Sequence, residues 1–195
     1  EIKELISSLS ANLSPNSNVN RIYIKSNSNK EEYFIDGNTV IELIHSKLSL
    51  RRLKEAWIKL LFISSSKKNI EKTKIIFRKE NQYKSQMLLS PGEIESNLIL
   101  EEYINIFKNY SEKCLPLPPE STYKYVEAKI KLKNEKKAFS DRWIGNKTFS
   151  KGERENIEMK ICFGDEKEPD FFFGNSNFDK LSFILYAPLI EALKK

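Results

Sequence analysis

One amphipathic stripe between two apolar, β-branched runs constrains this chain more than any other feature. From Leu50 to Ile63, the residues Leu50, Leu53, Ala56, Trp57, Leu60 and Leu61 recur at helical spacing, while Arg51, Arg52, Lys54, Glu55 and Lys59 face away. Ahead of this helix, Thr39–His45 (TVIELIH) is β-branched and mostly apolar, which is the pattern of a central strand. Behind it, Lys72–Lys79 (KTKIIFRK) reads as a further strand. Strands on both sides of one amphipathic helix make a mixed α/β unit.

The flanking segments extend that unit. Residues 2–13 place Ile2, Leu5, Ile6 and Leu9 on a helix that Ser14-Pro15-Asn16 stops. Residues 20–26 alternate Ile22 and Ile24 against Arg21, Tyr23 and Lys25, as a half-buried strand does. Asn27-Ser28-Asn29 makes a turn, Glu32–Ile35 a second strand, and Asp36-Gly37 a hairpin turn into the third. Ser85–Leu89 is a fifth strand, reached through Glu80-Asn81-Gln82. Ser90-Pro91-Gly92-Glu93 then opens a helix as a capping box, Ser90 accepting from the Glu93 amide and Pro91 taking the first helical position. That helix is expected to turn Ile94, Leu98, Ile99, Tyr103, Ile106, Phe107 and Tyr110 inward. The order to residue 112 is α-β-β-β-α-β-β-α.

Beyond this point the chain changes character. Leu115 to Ser121 is held extended by Pro116, Pro118 and Pro119, which forbid helix and withhold strand donors. Val126 to Trp143 reads as one or two helices, residues 145–176 as irregular, and Asp179 to Leu193 as a last helix kinked at Pro188. The expected division is an α/β core over 1–113 and a proline-linked, mainly helical extension over 114–195, packed on the core as one structural domain.

Composition narrows the function classes. The net charge of +6 comes from 33 basic against 27 acidic residues, with both signs interleaved as on a solvated surface; it permits contact with phosphates without demanding it. A single histidine, His45, and two distant cysteines, Cys114 and Cys162, assemble neither a zinc site nor a disulfide framework. No apolar run approaches the roughly 18 residues of a membrane span, and no signal peptide is evident, so a cytoplasmic protein without membrane contact is expected. The chain starts at Glu1 rather than Met and reads as a piece of something longer.

The tail carries a resemblance. Leu115-Pro116-Leu117-Pro118-Pro119-Glu120-Ser121 is followed by Tyr123, Ala128, Lys137-Ala138, Trp143-x-Gly145, Gly152-Glu153, Cys162-Phe163-Gly164, Phe178, Leu181 and Tyr186-x-Pro188-Leu189. That series, in that order, resembles the C-terminal end of the gamma subunits of exodeoxyribonuclease V, the RecC family. Upstream, Ser46–Ser65 (SKLSLRRLKEAWIKLLFISS) is similar to a segment of the same family. The resemblance implies a PD-(D/E)XK nuclease-like core, α-β-β-β-α-β, repurposed for scaffolding in double-strand-break repair by homologous recombination. It also implies RecB-type and RecD-type subunits as partners in an ATP-dependent exodeoxyribonuclease, with DNA reached through the assembled complex. Neither a cofactor nor a small-molecule substrate is expected.

Three readings follow for the residues that could do chemistry or binding. An active Mg²⁺-dependent nuclease needs two carboxylates and a lysine converging on the metal; Asp36, Glu42 and Lys47 are the positions available. Two residues past Glu42 stands Ile44 where the lysine belongs, and Lys47 lies an odd number of strand steps away. Asp36 therefore reads equally as a turn residue, Glu42 as a salt-bridge partner and His45 as a structural residue, and the isolated domain is expected to be non-catalytic. For DNA contact, the second reading, the candidates are Arg51, Arg52, Lys59, Lys67 and Lys68; a stand-alone nucleic-acid-binding module would gather such residues on one basic face. For a partner surface, the third, they are Phe171, Phe172 and Phe173, since three consecutive aromatics on an extended chain cannot all enter one core.

Overall fold

A computed structural model of the chain describes residues 2–13, 19–26, 29–66, 69–146, 150–165 and 167–194. The first eight elements are α1 (Ile2–Ala11), β1 (Val19–Ser26), β2 (Asn29–Asp36), β3 (Thr39–Ile44), α2 (Leu50–Ser65), β4 (Lys72–Lys79), β5 (Gln82–Leu89) and α3 (Glu93–Tyr110). Their order is the one read from the sequence. Then come α4 (Pro119–Ile130), α5 (Glu135–Ile144), a small hairpin of β6 (Gly145–Asn146) and β7 (Ser150–Lys151), and a 3-10 turn (Glu153–Glu155). The chain ends with α6 (Ile157–Phe163), α7 (Pro169–Phe173), α8 (Phe178–Ala192) and β8 (Leu193–Lys194). Two compact units result, Glu1–Leu100 with Glu191–Lys195, and Glu101–Ile190. The division falls within α3, not at the proline segment, and the tail leaves its helix at Ala192 to pair Leu193 and Lys194 with Leu88 and Met87 of the sheet.

The first unit is a mixed α/β sheet in the order β1-β2-β3-β4-β5-β8. All neighbours are antiparallel except β3 and β4, the parallel pair joined by α2. Register fixes which side chains share a face. Val40 pairs with Thr73, and Thr73 with Leu88; Val40, Ile75 and Leu88 on that face are fully buried. Complete burial of an aliphatic side chain stabilises by roughly 2 kcal/mol, so this face anchors the unit. Its helix, α2, buries Leu53, Ala56, Trp57, Leu60, Leu61 and Ile63 and is capped by the Ser49 hydroxyl, which accepts from the Arg52 amide. On the opposite face Ile76 is buried, while Phe34, Leu43 and Leu89 stay about two-fifths exposed. The helix α1 covers the free edge of β5: the Tyr83 amide donates to Ser8 Oγ at 2.8 Å, and Asn12 Nδ2 donates to the Tyr83 carbonyl at 3.1 Å.

The start of α3 differs from expectation. Gly92, at φ +92°, turns the chain so that the helix begins at Glu93. Ser90 Oγ accepts from the Gly92 amide and bonds Ser64 Oγ at 2.8 Å, so the capping box is not made and Pro91 lies outside the helix. Ile99 and Ile106 are buried as read, but Ile94, Leu98 and Phe107 are exposed, because apolar residues lie all round this helix and only one side is covered.

The second unit is helical around an aromatic core. Leu117, Tyr125, Val126, Phe139, Trp143, Phe172, Phe178 and Tyr186 form it. Trp143 meets Phe172 edge to face at 4.9 Å, and its indole N–H donates to the Lys167 carbonyl at 2.7 Å. Pro119, read as a helix breaker, instead opens α4, because the first helical position needs no amide. Pro118 offers that helix no side-chain cap. Glu153 supplies one from afar, accepting from the Glu120 and Ser121 amides at 2.8 and 2.6 Å and from the Ser121 hydroxyl at 2.6 Å. The carboxylate is 2% exposed, and its charge is offset by these donors at the positive end of α4. A Cβ on the neighbouring Gly152 would lie 2.3 Å from the Ile144 carbonyl oxygen, so only glycine fits beside the staple. At its other end α4 closes in a Schellman turn, Lys133 N to Ala128 O and Leu132 N to Lys129 O. Leu132 takes the left-handed position at φ +53°, which costs a non-glycine residue about 1 kcal/mol.

Candidate functional site

The positions a nuclease would need lie where β2, β3 and α2 meet. Asp36 ends β2 opposite Thr39, and paired residues project to the same face. Thr39 and Glu42 are an odd number of steps apart on β3, so they project to opposite faces. Asp36 and Glu42 therefore sit on different sides of the sheet. Lys47 lies past the end of β3, exposed.

Glu42 instead meets Lys59 of α2, whose ammonium donates to both carboxylate oxygens at 3.0 and 3.2 Å. The sequence reading turned Lys59 outward; its long stem brings the charge back to β3. This pair, seventeen residues apart, has no local signature that could have announced it. His45 Nδ1 lies 3.0 Å from the Tyr83 hydroxyl, an exposed hydrogen bond between a strand end and β5. Among the described residues, no three His, Cys, Asp or Glu side chains stand together as a metal-holding group. A cleft of about 630 Å³ opens between α1 and the β4–β5 turn, lined by Lys3, Glu4, Ser7, Ser8, Ala11, Asn81 and Gln82. That lining holds one carboxylate, Glu4, and neither histidine nor cysteine.

Of the binding candidates, Arg51 and Arg52 are exposed and share Glu55, at 3.1 and 2.8 Å. The guanidiniums of Arg52 and then Arg51 hold the Glu55 carboxyl below the usual range. Lys59 is occupied by Glu42, and Lys67 and Lys68 lie outside the described residues. Phe171, Phe172 and Phe173 are not extended: they form the short helix α7, which separates their directions. Phe172 is fully buried, Phe173 packs partly into the same core, and Phe171 is about half exposed beneath the Lys167 ammonium at 4.6 Å from the ring centre. One of the three thus remains at the surface.

Sequence reasoning also missed two arrangements in the helical unit. Cys114 and Cys162, distant in sequence, are free and exposed yet close enough that the Cys114 thiol, with burial second, pushes the Cys162 thiol pKa up. The charged network of Tyr125, Lys129 and Asp179 joins α4 to α8: the Tyr125 hydroxyl and the Lys129 ammonium both donate to Asp179, at 2.9 and 2.7 Å. Lys129 first, and then Tyr125, lowers the Asp179 pKa against the opposing effect of burial.

Among the described residues no helix is long and apolar enough to cross a membrane. Comparison with protein-family models and with curated proteins finds no match for this chain.

Proposed function

We propose that this chain is a non-catalytic, nuclease-like domain of the exodeoxyribonuclease V gamma-subunit type, acting in the cytoplasm as a scaffold in a DNA-repair helicase–nuclease. Its partners are a RecB-type helicase–nuclease subunit and a RecD-type helicase, with DNA handled by the assembly and ATP consumed by the partners.

The observation that carries the reading is the placement of Asp36 and Glu42 on opposite faces of the sheet. A metal shared by two carboxylates needs both within about 2.0–2.6 Å of it, and a sheet between them prevents that. The element order α1-β1-β2-β3-α2-β4 supports descent from a PD-(D/E)XK core. So does the use made of the residues that carry the resemblance: Leu117, Ser121, Trp143, Gly152 and Glu153 are all built into the second unit. A domain that keeps its packing scheme while its would-be metal ligands diverge fits a scaffold. An active nuclease with its lysine relocated to α2 would draw on the Glu42–Lys59 pair, from which the sheet separates Asp36.

Co-expression with RecB-type and RecD-type subunits tests the reading. A complex that survives size-exclusion chromatography is expected; a chain that elutes alone from the assembled pair contradicts it.

A further inference from the structure

The turn between α4 and α5 carries a side chain that helix termination does not call for. Leu132 occupies the left-handed position where glycine or asparagine is favoured, and it is 96% exposed. Neither backbone nor burial accounts for a leucine there. From Lys129 to Lys137 the tip holds five lysines against one acid, Glu135. Asp179 takes Lys129 and Glu127 takes Lys131, and Lys136 lies over the Phe173 ring at 5.4 Å. Lys133 and Lys137 are exposed, with no ion pair among the described residues. Lysines in the first turn of α5 also oppose that helix's own dipole. An exposed, strained apolar residue beside two unpaired cations, Lys133 and Lys137, fits a polyanion with apolar surface between its charges.

We propose that the α4–α5 tip is a DNA contact, Lys133 and Lys137 engaging backbone phosphates while Leu132 packs against the sugar or base surface between them. The assignment rests on the DNA-handling reading above and names its surface. DNA carries about one charge per 1.7 Å of axis, and apolar side chains wedge against its base steps. An anionic bilayer fits less well, since one leucine offers far less apolar area than an acyl chain, which itself binds only marginally.

Fluorescence anisotropy of a labelled hairpin duplex with a single-stranded tail, titrated with the chain across a salt series in EDTA, tests the tip. Lys133→Ala/Lys137→Ala is expected to weaken binding about tenfold and to flatten the slope of log affinity against log salt by about 2. Leu132→Gly is expected to weaken binding severalfold while raising the melting temperature, because glycine relieves the left-handed backbone; a merely structural leucine would not split the two readouts this way. Unchanged affinity and salt slope in both variants would overturn the tip and leave the scaffold reading intact. So would binding of phosphatidylserine vesicles with no binding of DNA. Without divalent metal the assay reads binding alone, so a failure here is separate from any failure of the non-catalytic reading.

Discussion

In the sheet unit the conspicuous charges are held at the surface, whereas in the helical unit the decisive one is built into the interior. Glu42 and Lys59 meet with 20% and 41% of their side chains exposed, and Arg51, Arg52 and Glu55 pair in solvent. Glu153 is 2% exposed and accepts three hydrogen bonds that complete a helix end. Exposed pairs contribute little, while a buried carboxylate with its donors cannot be removed without stranding them. The residues that suggest an enzyme are thus the ones this fold needs least. Leu117, Ser121, Trp143, Gly152 and Glu153 are by contrast built into the interior of the helical unit.

That contrast predicts a graded set of effects. Glu153→Ala strands the Glu120 and Ser121 donors and is expected to cost about 3 kcal/mol in urea unfolding; a loss below about 1 kcal/mol would erase the difference between the units. Alkali probes the helical unit next. Burial first, and Glu127 second, push Tyr123 up to about 12 from its ordinary 10.0. A raised folded pKa gives stability that is fully present below the unfolded value and lost as pH rises through the folded one. Stability is therefore expected to fall between about pH 10 and 12, and Tyr123→Phe to make that fall shallower; an unchanged slope in the variant would contradict the assignment. Lys59→Ala, at a part-buried pair that still reaches solvent, is expected to change stability by less than about 1 kcal/mol. A loss as large as that of Glu153→Ala would mean that the sheet unit is built around its charges too.

Much of the sheet unit was legible. β-branched, apolar runs located β3 and β4, the stripe of Leu53, Trp57, Leu60 and Leu61 located α2, and Asp36-Gly37 located the hairpin, because each is a local pattern. What failed depends mostly on partners remote in sequence, and in one case on a short local helix. Ser90 is drawn to Ser64 and Gly92, so its expected cap on α3 is lost. Pro119 opens a helix because Glu153, a distant acid, takes over the capping. Lys59 finds Glu42 across the unit, and the three phenylalanines separate because α7 is helical. Of the candidate site, the mismatch at Ile44 was visible in the sequence, but the placement of Asp36 and Glu42 on opposite faces required the register.

A nuclease assay of the folded chain, with Mg²⁺ and with Mn²⁺ on single- and double-stranded DNA, tests the non-catalytic account most directly. The account predicts intact DNA, from the chain and from Asp36→Ala/Glu42→Ala alike. Cleavage by the chain that this double substitution abolishes would contradict it, and would make the domain a working metal-dependent nuclease.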